Sequence, residues 1–275
     1  MKENNSFISF SNKKAGLIFD DSKHDKYPIR YYNVINGKGA EIKENHSYYG
    51  YIYDGLVTIN VSEHKNYNSY NLLDGMFFSL KDNFRIKKDE VGKLVLIEVV
   101  NEAGIYPETK FQAYNTFGGP VEKSGRLKYI DGCTDSLLIP PIKLGNPCLN
   151  HLHFPRYITQ TQHTHPSHRI GIVSKGNGLC VTPFGNLPLT KGMIFVIKEW
   201  DGKSYARALD GKMHPVGEHA FNTTAETLDV IAFHPDSDFG ATDVEHPMIN
   251  RTYVDGVSAK NIQDIQTNDK QFNNQ

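Results

Sequence analysis

Three histidines, His163, His165 and His168, fall within six residues in the run Gln162-His163-Thr164-His165-Pro166-Ser167-His168-Arg169. Side chains alternate along an extended strand, so the spacing places His163 and His165 on one face and turns His168 to the other. Neutral imidazole is a common protein ligand for divalent transition metals. Two imidazoles on one strand face, closed by a turn at Gly176, make half of a metal site.

The elements around this run read as strands. Short β-rich stretches such as Leu56–Val61, Leu94–Val99, Ile170–Val173, Met193–Ile197 and Leu228–Phe233 alternate with Gly, Asn, Asp and Pro turns, and long 3.6-residue stripes are scarce. The expected fold class is all-β, a sandwich or barrel with few short helices. Of 275 residues, 39% are hydrophobic and 22% charged, as in ordinary globular proteins. A net charge of −1 gives no footprint for nucleic acid or an anionic membrane. Nothing in residues 1–14 reads as an export signal. Cys133, Cys148 and Cys180 are an odd set without a C-x-x-C pair, which suits a reducing cytoplasm and buried thiols.

An internal repeat organises the chain. Leu72-x-x-Gly75-Met76-x-Phe78-x-x-Lys81 matches Leu189-x-x-Gly192-Met193-x-Phe195-x-x-Lys198, and Gly50-Tyr-Ile-Tyr-Asp-Gly55 matches Gly171-Ile-Val-Ser-Lys-Gly176. With Leu94–Val99 against Leu228–Phe233, three matches keep the same order and imply a duplicated β-domain. The expected boundaries are 15–110 and 145–259, with 111–144 between them and a polar tail over 260–275. Aligning Gly50 with Gly171 puts Ile42 and Glu44 where the second half has His163 and His165, with His46 nearby. Nine of the twelve histidines lie between His151 and His246, so one site is expected, in the second half.

At this point the chain resembles the cupin superfamily. The first family motif, H-x-H followed by Glu and Gly, is matched by His163-Thr-His165-Pro-Ser-His168-Arg169 leading to Gly176. The second is matched by Gly192-Met193 and Pro215-Val-Gly217-Glu218-His219-Ala-Phe-Asn222. The resemblance is strong over about 150–235 and weak over the first half. It implies two cupin-type jelly-roll barrels in tandem, a bicupin whose N-terminal barrel is degenerate. It also implies His163, His165 and His219 as the metal ligands. The chain departs from the pattern at the Glu position, which is taken by Arg169 or His168.

A guanidinium cannot ligate a metal but can hold a carboxylate substrate in a fork. Arg169, His168 and Arg251 are therefore the candidate catalytic and substrate-holding residues, His168 as an extra ligand or, better, as a group behind the ligands. Three histidines leave positions open for water, substrate or dioxygen. Such a site suits Fe(II), with Mn, Ni, Co or Zn as alternatives. The expected activity is a metal-dependent oxygenase acting on a small acidic metabolite. A redox-neutral isomerase, decarboxylase or lyase, and a sensor without turnover, stay open, as does a homodimer. Ile170, Ile172, Phe195, Phe221 and Phe233 are the expected apolar wall. His151-Leu-His153 either lines the same barrel or packs at a strand edge. Asp236, Asp238, His246 and Arg251 either reach the barrel mouth or cap a loop. Glu218 is a weak candidate base, Tyr129 onward reads as a contact strand between the halves, and Tyr48, Tyr49, Tyr51 and Tyr53 are expected to pack within the first sheet.

Overall fold

Two long strands, Ser47–Glu63 and Arg169–Val181, each bend partway and share their lengths between two layers. The computed structural model describes residues 1–63, 66–81, 83–100, 115–141, 145–237, 252–258 and 261–262. The near half of Ser47–Glu63 pairs with Phe77–Lys81 and Gly92–Val99, and its far half with Asn66–Leu73 and Phe84–Ile86. The near half of Arg169–Val181 pairs with Ile194–Ile197 and Leu228–His234, and its far half with Leu187–Thr190 and Ala220–Asn222. All of these pairings are antiparallel, and the fold is an all-β double jelly roll. A 3₁₀ turn spans Ile130–Gly132, and no helix among the described residues is long and apolar enough to cross a membrane.

The repeated glycines explain the bends. The register shifts between Ile52 and Asp54 in one strand and between Val173 and Lys175 in the other. Gly55 and Gly176 follow these bulges, each at φ 72°. There a Cβ would lie 2.3 Å from the Val91 carbonyl oxygen and 1.8 Å from that of Thr227, respectively. Gly50 and Gly171 have a different duty. Each sits opposite a phenylalanine of the repeat, Phe78 or Phe195, whose ring lies across the missing side chain.

Two strands join the second sheet from outside the 145–259 boundary. Phe7–Phe10 pairs with Ile194–Ile197, and Thr134–Ile139 pairs with Cys148–Phe154. Neither carries a long enough alternation to declare its partner in the sequence. A hairpin of Tyr253–Val254 and Val257–Ser258 belongs to a separate, smaller unit.

Three apolar layers result. Ile52, Phe78, Leu94 and Leu96 fill the first barrel, and Phe154, Phe195, Phe221 and Val230 fill the second. The third lies between the barrels, where Tyr49, Tyr51, Tyr53 and Ile97 meet Ile170, Ile172 and Phe233. This corrects two expectations. Of the tyrosine patch, only Tyr48 points into the first barrel. Strand alternation turns the other three outward; Tyr53 still bonds within the first sheet, to Asn33 Oδ1 at 2.7 Å, while the Tyr49 hydroxyl donates to the Pro147 carbonyl at 3.4 Å. By the same alternation Ile170, Ile172 and Phe233 face this layer and not the site.

Two outcomes follow. Gly171→Ala places a Cβ 2.6 Å from the Phe195 ring, and overpacking of this kind costs about 1–3 kcal/mol; urea unfolding should show that loss, and an unchanged midpoint counts against the glycine–ring contact. Asp135 is 8% exposed, and burial pushes its carboxyl up to about 6. The folded state therefore holds this proton more tightly than the unfolded chain, and the associated stability is lost as pH rises from about 4 through 6. Asp135→Asn should then be the more stable protein at pH 7.5, by on the order of 2–3 kcal/mol, with the gap closing near pH 4. A gap that does not vary with pH contradicts this.

Candidate metal centre

The second barrel is entered by an extended segment, Thr159–His165, that lies against Gly217–Asn222. Thr159 bridges Asn222, and His163 bridges His219. The His163 amide donates to the His219 carbonyl at 2.9 Å, and the His219 amide donates back at 3.0 Å. His163 is thus paired at one residue and does not lie inside a regular strand, as the spacing had suggested. The outcome for the side chains is the expected one.

The downstream motif explains this contact. Gly217 has φ 82° and a Cβ there would lie 2.3 Å from the Lys198 carbonyl oxygen, so the turn before His219 needs glycine. Asn222 Oδ1 accepts the Gln160 amide at 3.1 Å, and Gln160 Oε1 accepts the Phe221 amide at 3.0 Å. The asparagine of the motif therefore fastens the histidine segment to the barrel.

His163, His165 and His219 converge. Their ring centroids are 5.0, 4.6 and 5.2 Å apart, and one nitrogen from each lies within 4.8 Å of the others. His163 Nδ1 donates to the Thr161 carbonyl and His219 Nδ1 to the Gly217 carbonyl, each at 2.8 Å. These bonds fix the tautomer, leaving the Nε2 lone pairs for a cation. Burial holds His163 and His165 below the usual histidine range, and Arg169 adds to the effect at His165. Burial brings His219 down to about 3. All three are neutral at physiological pH, the state in which imidazole ligates. The donor set fits a divalent transition metal with positions left open.

The cavity wall is apolar on one side, with Leu152, Phe154, Phe195, Phe221 and Val230, and polar on the other. Arg169 enters it, since its strand turns Arg169 and Gly171 inward. One edge of the guanidinium is committed: Nη1 donates to Asp236 Oδ1 at 2.9 Å and to Ser167 Oγ. Its Nε has no partner. Asp236 thus neutralises Arg169, the first of its two expected roles replaced by a structural one. His234 also lines the cavity. Its Nδ1 accepts from Asn150 Nδ2 at 3.2 Å, so its proton sits on Nε2, and burial holds it neutral.

Other expected residues lie elsewhere. His168 is not in the cavity. Its Nδ1 accepts the Glu199 amide at 2.9 Å, its Nε2 is 3.4 Å from Asp21, and Phe19 packs on its edge. The odd spacing from His165 predicted this turn, and it removes His168 from the ligand and catalytic sets. Glu218 faces away and binds His214 Nδ1 at 2.9 Å. His151 and His153 lie on the outer face of the barrel, on Asp229. Arg251, Asp238 and His246 fall outside the described residues. The chain also brings in residues the motifs did not single out. Gln160 is 5% exposed, lines the cavity, and has an unpartnered Nε2; its place just before the histidine run was the available signal. Tyr129 lines the same cavity, while the strand that follows it, Thr134–Ile139, carries Ile139 into the layer between the barrels, as a contact strand would.

Among the described residues the first barrel carries no such set. Leu96 pairs with Gly50 as Ala232 pairs with Gly171, so Glu98 stands where the second barrel has His234. Glu98 is fully buried and takes Arg30 at 3.0 Å, the Tyr32 hydroxyl at 2.6 Å, and His46. His46 is thereby used in a buried charge cluster.

Comparison with known proteins bears on this architecture. No protein-family model matches the sequence, and no curated protein matches it. Solved structures do. A cupin 2 conserved barrel domain protein from Leptotrichia buccalis is 16% identical with a TM-score of 0.50, over 85% of this chain and 90% of that one. Protein Ylba from E. coli is 12% identical with a TM-score of 0.56, over 88% and 95%. Salicylate 1,2-dioxygenase from Pseudoaminobacter salicylatoxidans is 8% identical with a TM-score of 0.50, over 76% and 71%. At these identities the likeness establishes the fold.

His163→Ala and His219→Ala should each remove most bound metal, with far-UV circular dichroism unchanged. His46→Asn should lower stability and leave metal content as it was. Undiminished metal in the first two proteins, measured by elemental analysis, contradicts the ligand assignment.

Proposed function

Starting from a chain with the cupin fold, in two tandem barrels, we propose a metal-dependent enzyme, an Fe(II) oxygenase acting on a small acidic metabolite in the second barrel. The observation that supports this reading is the convergence of three neutral imidazoles on one point of a largely apolar cavity, with an unpartnered guanidinium nitrogen in its wall. Three ligands leave the coordination sphere open, as dioxygen chemistry requires. The likeness to a protein named for dioxygenation of salicylate accords with an acid substrate.

His163, His165 and His219 would hold the cation through Nε2. Iron bound there would supply the activation of dioxygen. The remaining work falls to the chain. Arg169 Nε directs a hydrogen bond toward an acid group, and its pairing with Asp236 keeps the guanidinium in place. His234 Nε2–H and the Gln160 amide give two further donors without adding charge. Leu152, Phe154, Phe195 and Phe221 exclude water. The free space is about 30 Å³, room for roughly two waters, so the substrate is small or the wall moves to admit it. A cytoplasmic setting and a substrate free of nucleic acid or membrane belong to the same proposal, and the three unpaired, buried cysteines accord with it.

The test is oxygen uptake by iron-loaded protein over a panel of small carboxylic acids. Uptake that depends on both iron and one acid supports the oxygenase. Metal-dependent turnover without uptake moves the assignment to an isomerase, decarboxylase or lyase, and binding without turnover to a sensor. For an active acid, Arg169→Met combined with Asp236→Asn, which leaves no lone buried charge, should raise KM by roughly ten- to a hundredfold with a smaller change in kcat. An unchanged KM removes Arg169 from substrate binding.

A further inference from the structure

The outer face of the second barrel carries another donor cluster. Along Cys148–Phe154, alternation sends Leu152 and Phe154 to the cavity and His151 and His153 to the opposite face. Asp229 is paired with His153 across the neighbouring strand and points the same way. Its Oδ1 lies 2.8 Å from His151 Nε2 and 2.8 Å from His153 Nδ1. None of the three lines the three-histidine cavity. His151 and Asp229 instead line a cleft of about 350 Å³ with Tyr51, Ser174, Lys175 and Lys191.

As a hydrogen-bond network this cluster is incomplete. With both imidazoles donating to Oδ1, Asp229 Oδ2 is an acceptor that meets no donor. That oxygen belongs to a residue only 4% exposed. Buried polar groups nearly always find partners, and the low dielectric makes each omission costly. Two imidazoles and one carboxylate are, however, a complete donor set for a first-row divalent cation.

We propose that His151, His153 and Asp229 form a second divalent-metal site, independent of the three-histidine centre. Each imidazole stays neutral when the ion binds, its proton moving to the ring nitrogen that does not ligate. The carboxylate keeps its charge, with Oδ1 already between the two imidazoles and Oδ2 without a donor of its own. A tetrahedral ion with bonds of about 2.1 Å separates its donors by about 3.4 Å, so the carboxylate and imidazoles need part by only about half an ångström. Lys175 and Lys191 line the same cleft together with Lys123, Asp74 and Glu122, and Lys191 lies 3.9 Å from Asp74.

Zinc is the probe. Chelator-stripped full chain is loaded with Zn²⁺, freed of excess by gel filtration and counted by elemental analysis. Two equivalents are expected in the wild type and one each in His153→Ala, Asp229→Asn and His163→Ala. The half-buried His153 is the variant that decides if the Asp229 protein does not fold. Two equivalents that persist in His153→Ala overturn the proposal. So does a single wild-type equivalent that disappears in His163→Ala. A single equivalent that survives His163→Ala and is lost in His153→Ala sustains this site and removes the three-histidine reading, so the two assignments fail separately.

Discussion

The exchange of two backbone hydrogen bonds between His163 and His219 is the contact on which the site depends. It joins segments far apart in sequence at a single residue pair, and the side chains that leave this pair are two of the three proposed ligands. No strand of any length enforces it. The reinforcement comes from the side chains of Asn222, which accepts the Gln160 backbone amide, and Gln160, which accepts that of Phe221, and from the glycine turn at Gly217. Once His163 and His219 are fixed, His165 follows from the chain alternation. The carbonyls of Thr161 and Gly217 then choose the tautomer. Ligand direction is thus set by main-chain atoms, which substitutions alter little.

One barrel plan serves two ends of the molecule with different interiors. The bulge glycines, the glycine–phenylalanine pairs and the strand order recur in both halves. What differs is which groups occupy equivalent inward positions. The first barrel places Glu98 where the second places His234, then neutralises it with Arg30, Tyr32 and His46. The second places Arg169 in its wall and neutralises it with Asp236. Each barrel therefore buries a charge and compensates it locally, but among the described residues only the second leaves a cluster of uncommitted imidazole nitrogens facing a cavity.

Much of this was legible in the residues. The duplication was visible because the repeat rests on glycines, and glycine is required where a ring or a carbonyl occupies the space of a side chain. His163, His165 and His219 were legible because motif spacing carries information about turns. The face of His168 followed from parity alone. What escaped were contacts made by topology. Thr134–Ile139 and Phe7–Phe10 reach the second sheet from outside its boundaries, and Tyr129 reaches the cavity with no local pattern to announce it. Ile170 and Ile172 have the parity opposite to the inward Arg169 and Gly171, and Phe233 joins their face through its register opposite Ile170. The outward pair His151 and His153 was visible as a spacing, but its partner Asp229 is supplied by strand register, which the sequence does not state.

The central claim is that three particular imidazoles meet at one cation. Anomalous diffraction from crystals of the iron-loaded protein, recorded on either side of the iron absorption edge, tests it most directly. The account predicts a difference peak about 2.1 Å from Nε2 of His163, His165 and His219 together. Iron-loaded crystals with no peak between these three side chains, or with a peak bonded to fewer than three of them, would contradict it.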